Sequence, residues 1–305
     1  MSSTILRIGT RGSPLALAQA YDVKNRLLLA HGWTDEQVVV QTFTTTGDQV
    51  QDKPLTEIGG KGLFTKELEE ALYRGDIDIA VHSMKDVATI LPPNLVISCV
   101  LTREAVEDVL LGPYESIQAL PLGSVVGTSS VRRAAQLRHL RPDIQIVGFR
   151  GNVQTRLKKL EEGIADATFL ARAGLNRLGM NIGNTISSME MLPAVAQGAV
   201  GIECHTDDDK SMAFLTPLHD ETTSICVSAE RAFLRKLDGS CRTPIAGNAT
   251  FYEGEILLRG EAVTIDGSRK VSLSGRASAS DAEMLGTELA EKLLGHMGPD
   301  FLKLP

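Results

Sequence analysis

Apolar and polar positions follow one plan twice in the first two thirds of the chain. Leu6-Arg7-Ile8-Gly9-Thr10-Arg11-Gly12-Ser13 reads as a short strand ending in a polar turn. Pro14 suits the first turn of a helix behind Ser13 as N-cap, and apolar residues continue to about Leu29. Val125-Val126-Gly127-Thr128-Ser129-Ser130, followed by Val131 to Leu140, repeats the arrangement. Each copy has an apolar strand, Gly-Thr, a hydroxyl-rich turn and a helix containing Ala-Gln (Ala18-Gln19 and Ala135-Gln136).

The parallel extends further. Val38 to Thr44 and Ile144 to Phe149 predict second strands, each near a glycine turn (Gly47, Gly151). Helices are expected over roughly Gly62 to Arg74 and Asn152 to Glu162. Each stops near a glycine (Gly75, Gly163) and leads into an Asp-containing strand, Asp78 to His82 or Asp166 to Leu170. This alternation implies two α/β units with largely parallel sheets. Such sheets bind ligands beyond the carboxyl ends of their strands, and two facing units make a cleft. From about Thr222 the pattern changes. Ser224 to Leu237 reads as a helix ending at Asp238-Gly239. Strands are expected at Ile245–Phe251, Glu255–Ile265 and Lys270–Ala277, with hairpin turns at Glu253-Gly254 and Asp266-Gly267. Asp281 to Met297 completes a small α+β domain as an amphipathic helix.

Composition removes several classes. The 305 residues are 43% hydrophobic and 23% charged, which is ordinary for a globular chain of two or three domains. No run approaches the roughly 18 apolar residues of a membrane helix. Met1 to Arg7 lacks the basic lead and apolar stretch of a secretory signal. Four irregularly spaced cysteines predict reduced thiols in a cytoplasmic protein. The net charge of −7 argues against general nucleic-acid binding.

The charge is unevenly spread. Arg132 to Arg177 holds ten basic residues against four acids, so one positive segment sits in an acidic chain and points to local handling of an anion. Lys158 and Lys159 are expected on a solvated helix face. Thr128-Ser129-Ser130 offers hydroxyls and free amides at a helix start, and Arg132 and Arg133 follow at once, so dipole and guanidinium groups can converge on one anion. Arg11 and Ser13 hold the matching place in the first unit, and Arg150 and Arg156 bracket the second glycine turn. Structural ion pairs are the plain alternative for any one of these arginines. Phosphate and carboxylate ligands are not distinguished at this point.

His82-Ser83-Met84-Lys85-Asp86 lies at another strand end, where a carboxylate can be held towards a developing cation. His82 is expected to be a buried strand-end side chain. Gly59-Gly60-Lys61-Gly62-Leu63-Phe64 lacks the spacing of a P-loop and reads as a glycine-rich cover, with Asp52 and Lys53 upstream. Cys99, Cys204 and Cys226 are expected as inert packing. Cys241 differs, in the polar loop Asp238-Gly239-Ser240-Cys241-Arg242-Thr243-Pro244, where Arg242 favours thiolate. No ligand spacing for zinc accompanies it, and no metal is expected. On position alone, an incidental thiol and a point of attachment or catalysis stay open.

The combination resembles the porphobilinogen deaminase (hydroxymethylbilane synthase) family. Seven collinear segments carry the likeness. They are Ile8 to Ala16, Gly59 to Phe64, Ala80 to Val87, Val126 to Arg133, Arg150 to Arg156, Pro193 to Ala199 and Gly239 to Ile245. The resemblance implies two similar α/β domains like those of periplasmic binding proteins, plus a small C-terminal α+β domain, with the chain returning to the first domain after about Ala199. The implied boundaries are 1–102 with 199–218, then 103–198, then 222–305.

By the same likeness, Cys241 carries a covalent dipyrromethane made from two substrate molecules. Four porphobilinogens are then added head to tail, each losing ammonia, and water releases hydroxymethylbilane. Asp86 is implied as the catalytic carboxylate that faces an electron-poor azafulvene. Ser83, Lys85, Thr128, Ser129, Ser130, Arg132 and Arg133 are implied at the cofactor, and Arg11, Ser13, Gln19, Arg150 and Arg156 at the substrate. Each pyrrole brings an acetate and a propionate, so the growing chain is polyanionic and needs a basic site. A cytoplasmic monomer acting on this small molecule, without nucleic acid or membrane partners, is the expectation. Three residues depart from the commoner pattern: Ala88 for Pro, Ala196 for Gly, and Arg242 for Gln or His. A non-catalytic anion-binding module of the same fold and an arginine-rich phosphotransferase are the rivals. The first is opposed by Cys241, the second by the missing nucleotide loop.

Overall fold

A computed structural model describes residues 5–49, 62–239, 243–298 and 300–302. Among these, residues 5–49, 62–104 and 198–224 form one compact unit, and 105–197 with 225–302 form a second.

The first unit opens with β1 (Leu6–Arg11) and α1 (Pro14–His31). Ser13 caps α1 by accepting from the Ala16 amide at 3.3 Å, and Pro14 occupies the position where a missing N–H costs nothing. β2 (Val38–Phe43), the single turn α2 (Thr46–Gln49), α3 (Lys66–Arg74), β3 (Ile79–Ser83) and β4 (Leu95–Val100) follow. The chain then enters the second unit as β5 (Asp108–Leu111), β6 (Val125–Gly127), α4 (Val131–Leu140) and β7 (Gln145–Val147). It continues there through α5 (Val153–Glu161), β8 (Ala167–Ala171), α6 (Arg172–Arg177) and β9 (Asn184–Ile186). β10 (Val200–His205) and α7 (Asp209–Leu215) return it to the first unit. It leaves again through α8 (Glu221–Lys236) to β11 (Ile245–Tyr252), β12 (Glu255–Val263), β13 (Lys270–Ser278) and α9 (Ala282–His296).

Two five-stranded sheets share one design. Their orders are β2-β1-β3-β10-β4 and β7-β6-β8-β5-β9. In each, three parallel strands precede one antiparallel strand in fourth place. That fourth strand, β10 or β5, is the first strand formed after the chain crosses between units. The internal repeat in the sequence therefore covers the three parallel strands of each sheet. It does not reach β4, β5, β9 and β10, which have no matching strand–turn–helix pattern. In the first sheet Leu6, Ile8, Val81 and Ile202 pack against Ala20, Val23 and Leu27 of α1. In the second, Val126, Phe169 and Leu110 pack with Leu137 of α4.

The C-terminal strands form the antiparallel meander β11-β12-β13. Tyr252 pairs with Glu255, and the two residues between them, Glu253 (φ 51°) and Gly254 (φ 84°), both take the left-handed conformation that a tight hairpin requires. Phe233 of α8 and Leu285, Leu289 and Leu293 of α9 share one core with Ile256 and Leu258 of the sheet. A Cβ at Gly260 would stand 2.4 Å from the Phe233 ring, so glycine lets the helix approach. An α/β pair of sheets and a small α+β element are thus present, as the pattern predicts.

Ala196, in one of the segments that carry the resemblance, has an unusual backbone. Its φ is 58°, a left-handed conformation that costs an L-residue about 1–2 kcal/mol. The buried Glu230 of α8 pins it by accepting from the amides of Ala196 and Ala249, each at 2.6 Å.

Candidate active site

In the first unit the carboxyl ends of β1 and β3 bring Arg11, Ser83, Lys85 and Asp86 forward. The Met84-Lys85-Asp86 turn is anchored at its start. Before it, His82 is buried as expected, and its Nε2 lies 3.0 Å from Glu203 of β10. Within it, the buried Met84 donates its amide to Ala199 O at 3.0 Å. A Cβ at Gly201 would collide with the Met84 sulfur, so that glycine makes room for the anchor. Ser83 and the buried Gln19 exchange hydrogen bonds, Gln19 Nε2 to Ser83 Oγ at 2.9 Å and Ser83 Oγ to Gln19 Oε1 at 3.1 Å. Rigid neighbours therefore hold Asp86 half-buried at the strand end.

Arg11 stands beside it, with Nη1 3.9 Å from Asp86 Oδ2. Its fork, however, is turned to a residue the sequence reasoning passed over. Nε donates to Asp48 Oδ2 at 3.0 Å, and Nη2 donates to Asp48 Oδ1. The guanidinium lies 4.4 Å from the centre of the Phe64 ring. Burial would lower the Arg11 pKa, but the bonds to Asp48 and the charges of Asp86 and Asp48 outweigh it and raise it. Burial likewise pushes the Asp48 carboxyl up, and Arg11 and the Thr45 hydroxyl overcome this to hold it below the usual range. Ser13 serves as the α1 cap, as expected. Gly59, Gly60, Lys61, Asp52 and Lys53 lie outside the described residues. α3 begins at Lys66 rather than Gly62, because Gly62 O first takes the amides of Thr65 and Lys66 in a turn.

In the second unit the hydroxyl turn caps α4. Ser130 Oγ accepts from the Arg133 amide at 3.4 Å, Thr128 Oγ1 accepts from the Ser130 amide at 3.2 Å, and Ser129 Oγ accepts from Phe149 N at 2.8 Å. That last bond joins this turn to the Arg150-Gly151 turn. Asn152 caps α5 from Thr155 N at 2.9 Å, and Arg156 Nε donates to Gly151 O at 3.0 Å. Lys158 is exposed and pairs with Glu162 at 3.7 Å, as expected. Lys159 corrects the expectation of a solvated side chain. It is half-buried and donates to Arg150 O at 3.0 Å, supporting the turn that carries Arg150.

Arg132 and Arg133 have internal partners that the sequence did not indicate. Both are buried, and each donates from Nη2 to one oxygen of Asp108 at 2.7 Å. Their Nη1 atoms donate to Leu192 O and Phe169 O. Asp108 is thus one anion, an internal one, that both guanidinium groups hold. Gln197 Nε2 adds a third donor to Asp108 at 2.9 Å. Burial would raise the Asp108 pKa, but the paired charges and hydrogen bonds of Arg132 and Arg133 hold it far below the usual range. Asp108→Ala should therefore cost about 3–5 kcal/mol in urea unfolding, because two buried cations lose their counter-charge. A loss under about 1 kcal/mol would mean that the arginines reach water. Much of the remaining basic segment is likewise used internally: Arg138 bonds Ile265 O, Arg141 pairs with Asp143, and Arg172 bonds Thr185.

Cys99, Cys204 and Cys226 are buried free thiols, and burial pushes the Cys99 pKa up to about 12. Cys241 and Arg242 lie outside the described residues. Their flanks are described: Gly239 closes α8 by donating to Leu234 O at 2.9 Å, and β11 starts at Ile245.

Family models match most of the chain. "Porphobilinogen deaminase, dipyromethane cofactor binding domain" matches residues 6–213, and "Porphobilinogen deaminase, C-terminal domain" matches residues 224–295. The porphobilinogen deaminase of Paracoccus denitrificans is 52% identical over 299 residues, covering 97% of this chain and 96% of that one. The chloroplastic porphobilinogen deaminase of Pisum sativum is 50% identical, covering 98% and 84%. That of Nitrobacter winogradskyi is 48% identical, covering 97% and 95%. These relatives lend no support to a non-catalytic anion-binding module.

Proposed function

The chain belongs to the porphobilinogen deaminase family, and from that premise we propose how its residues divide the work. It is a transferase that deaminates four porphobilinogen molecules and joins them head to tail on a dipyrromethane primer, releasing ammonia and hydroxymethylbilane in tetrapyrrole biosynthesis. We divide it into three working parts: 1–102 with 199–218 for Asp86, 103–198 for the arginines, and 222–305 for Cys241.

The donor set suits a carboxylate-rich group. Arg132 Nε and Arg133 Nε are buried and have no acceptor among the described residues, and the hydroxyls of Thr128, Ser129 and Ser130 cluster at the start of α4. Cys241 would hold the dipyrromethane through a thioether, and Ser83, Lys85, Thr128, Ser129, Ser130, Arg132 and Arg133 would hold its polar groups. When bound, the group supplies the pyrrole carbon to which the first substrate is joined. Arg11, Ser13, Gln19, Arg150 and Arg156 bind the acetate and propionate of incoming porphobilinogen. Asp86 faces the positive charge that develops as ammonia leaves, and it accepts from pyrrole N–H groups.

The anchored Asp86 turn carries this reading, because a carboxylate fixed before the reaction pays little reorganisation during it. We also read the protein as a cytoplasmic monomer. Its three described cysteines are free, as a reducing compartment keeps them. No helix among the described residues is long and apolar enough to cross a membrane. Intact-mass measurement of the purified active protein should give the chain plus two pyrrole units. The bare chain mass in active enzyme would overturn the covalent primer.

A further inference from the structure

Arg11 is assigned above to a substrate carboxylate, yet its fork already holds one. Asp48 accepts from both Nε and Nη2, the side-by-side geometry in which a guanidinium binds any carboxylate. Asp86 meets only Nη1, at the longer distance of 3.9 Å. The Phe64 ring covers one face of the group. A third carboxylate therefore cannot take the Nε/Nη2 edge while Asp48 remains there, and the Nη1 side faces Asp86. Adding it without a departure would also place three negative charges around one cation.

Asp48 is suited to leave. It sits on α2, a single helical turn that belongs to neither sheet. That turn is docked independently of the carboxylate. Thr46 donates from its amide and its hydroxyl to Glu67 Oε1 at 2.8 and 2.6 Å, and Gly47 donates to Leu63 O at 2.8 Å. The buried Thr45 hydroxyl, 2.8 Å from Asp48 Oδ2, is a second donor from outside the fork. A side-chain rotation can empty the fork without disturbing a strand.

We propose that Asp48 is a built-in competitor for the substrate carboxylate at Arg11, a residue that sets affinity and selectivity for porphobilinogen through exchange of one carboxylate for another. The proposal rests on Arg11 binding substrate. A ligand with a carboxylate in the right place replaces the two bonds that Asp48 gives up. A ligand without one gains nothing from Arg11, because the fork stays filled. The apparent affinity is reduced by the fraction of time the fork is open.

The test uses the primer-bearing holoenzyme and porphobilinogen itself. Asp48→Asn should lower KM on the order of tenfold, the change expected if the fork is open about one time in ten, and should leave kcat within about twofold. Asp48→Glu, which keeps the charge, should stay near the starting KM, as a merely structural role for the side chain would not require. Arg11→Lys removes the planar fork and should raise KM. In that background Asp48→Asn should have no further effect. Should Asp48→Asn melt below the assay temperature, Asp48→Ala is measured in its place. An unchanged or raised KM in the Asp48 variants, while Arg11→Lys still raises KM, overturns the competitor. A lowered KM that persists in the Arg11→Lys background overturns it too. If Arg11→Lys itself leaves KM unchanged, the assignment of Arg11 to substrate fails instead.

Discussion

Cys241→Ser is expected to fold normally, to lack the pyrrole adduct and to yield almost no product. The change replaces one atom, in a stretch of polar sequence between the end of α8 and the start of β11. The other thiols cannot take over. Cys99, Cys204 and Cys226 are buried, and burial raises the pKa of Cys99 and of Cys204, which suppresses the reactive thiolate. A tethered primer also keeps the growing end at high local concentration between additions, an advantage that a diffusing primer loses. Peptide mapping of the purified protein decides the matter. An adduct on another cysteine, or on none in active enzyme, would refute the assignment.

Asp86→Asn should keep the fold and the primer but lose on the order of 10²–10³ in turnover, the usual loss when one preorganised electrostatic contact is removed. Fold retention follows from the surroundings. The turn is held by Met84 and His82 rather than by the Asp86 carboxylate, and Arg11, 3.9 Å from that carboxylate, already has Asp48. The loss should fall on kcat and kcat/KM together, because the charge that Asp86 opposes develops only as ammonia leaves. Single-turnover measurements with primer-loaded enzyme would show it. Near-normal turnover would remove Asp86 from the chemistry.

The residues legible in the sequence were those whose roles are local. Ser13 and Ser130 cap the helices that follow them by accepting from the amide three residues downstream, so a hydroxyl ahead of an apolar run was enough to place both. The hairpin at Glu253-Gly254 was equally plain, because its demand on φ falls on two adjacent residues. Partners distant in sequence left no such mark. Asp108 neutralises Arg132 and Arg133 from 24 and 25 residues away, and only its place at the head of the apolar run Val109-Leu110-Leu111 hinted at burial. Asp48 meets Arg11 across 37 residues in a turn with no periodic pattern. The arginines were recognisable as anion binders. Which anion each one holds depends on tertiary packing, and for several it is a group of the chain itself.

The placement of β10 bears on the order in which the protein is completed during synthesis. Among the described residues β4 joins its sheet only through β10, so that sheet cannot close until His205 has left the ribosome. All five strands of the other sheet lie between Asp108 and Ile186. Domains usually finish in the order in which they are translated. Here the sheet begun second holds all its strands first, while β1 to β4 wait as an unclosed edge with apolar side chains such as Val81 and Cys99 uncovered. Release of β10 then pairs both β3 and β4 in one step. A nascent chain halted after β9 but before β10 is exposed should therefore be protease-resistant across the β5–β9 region and cleavable within β1–β4.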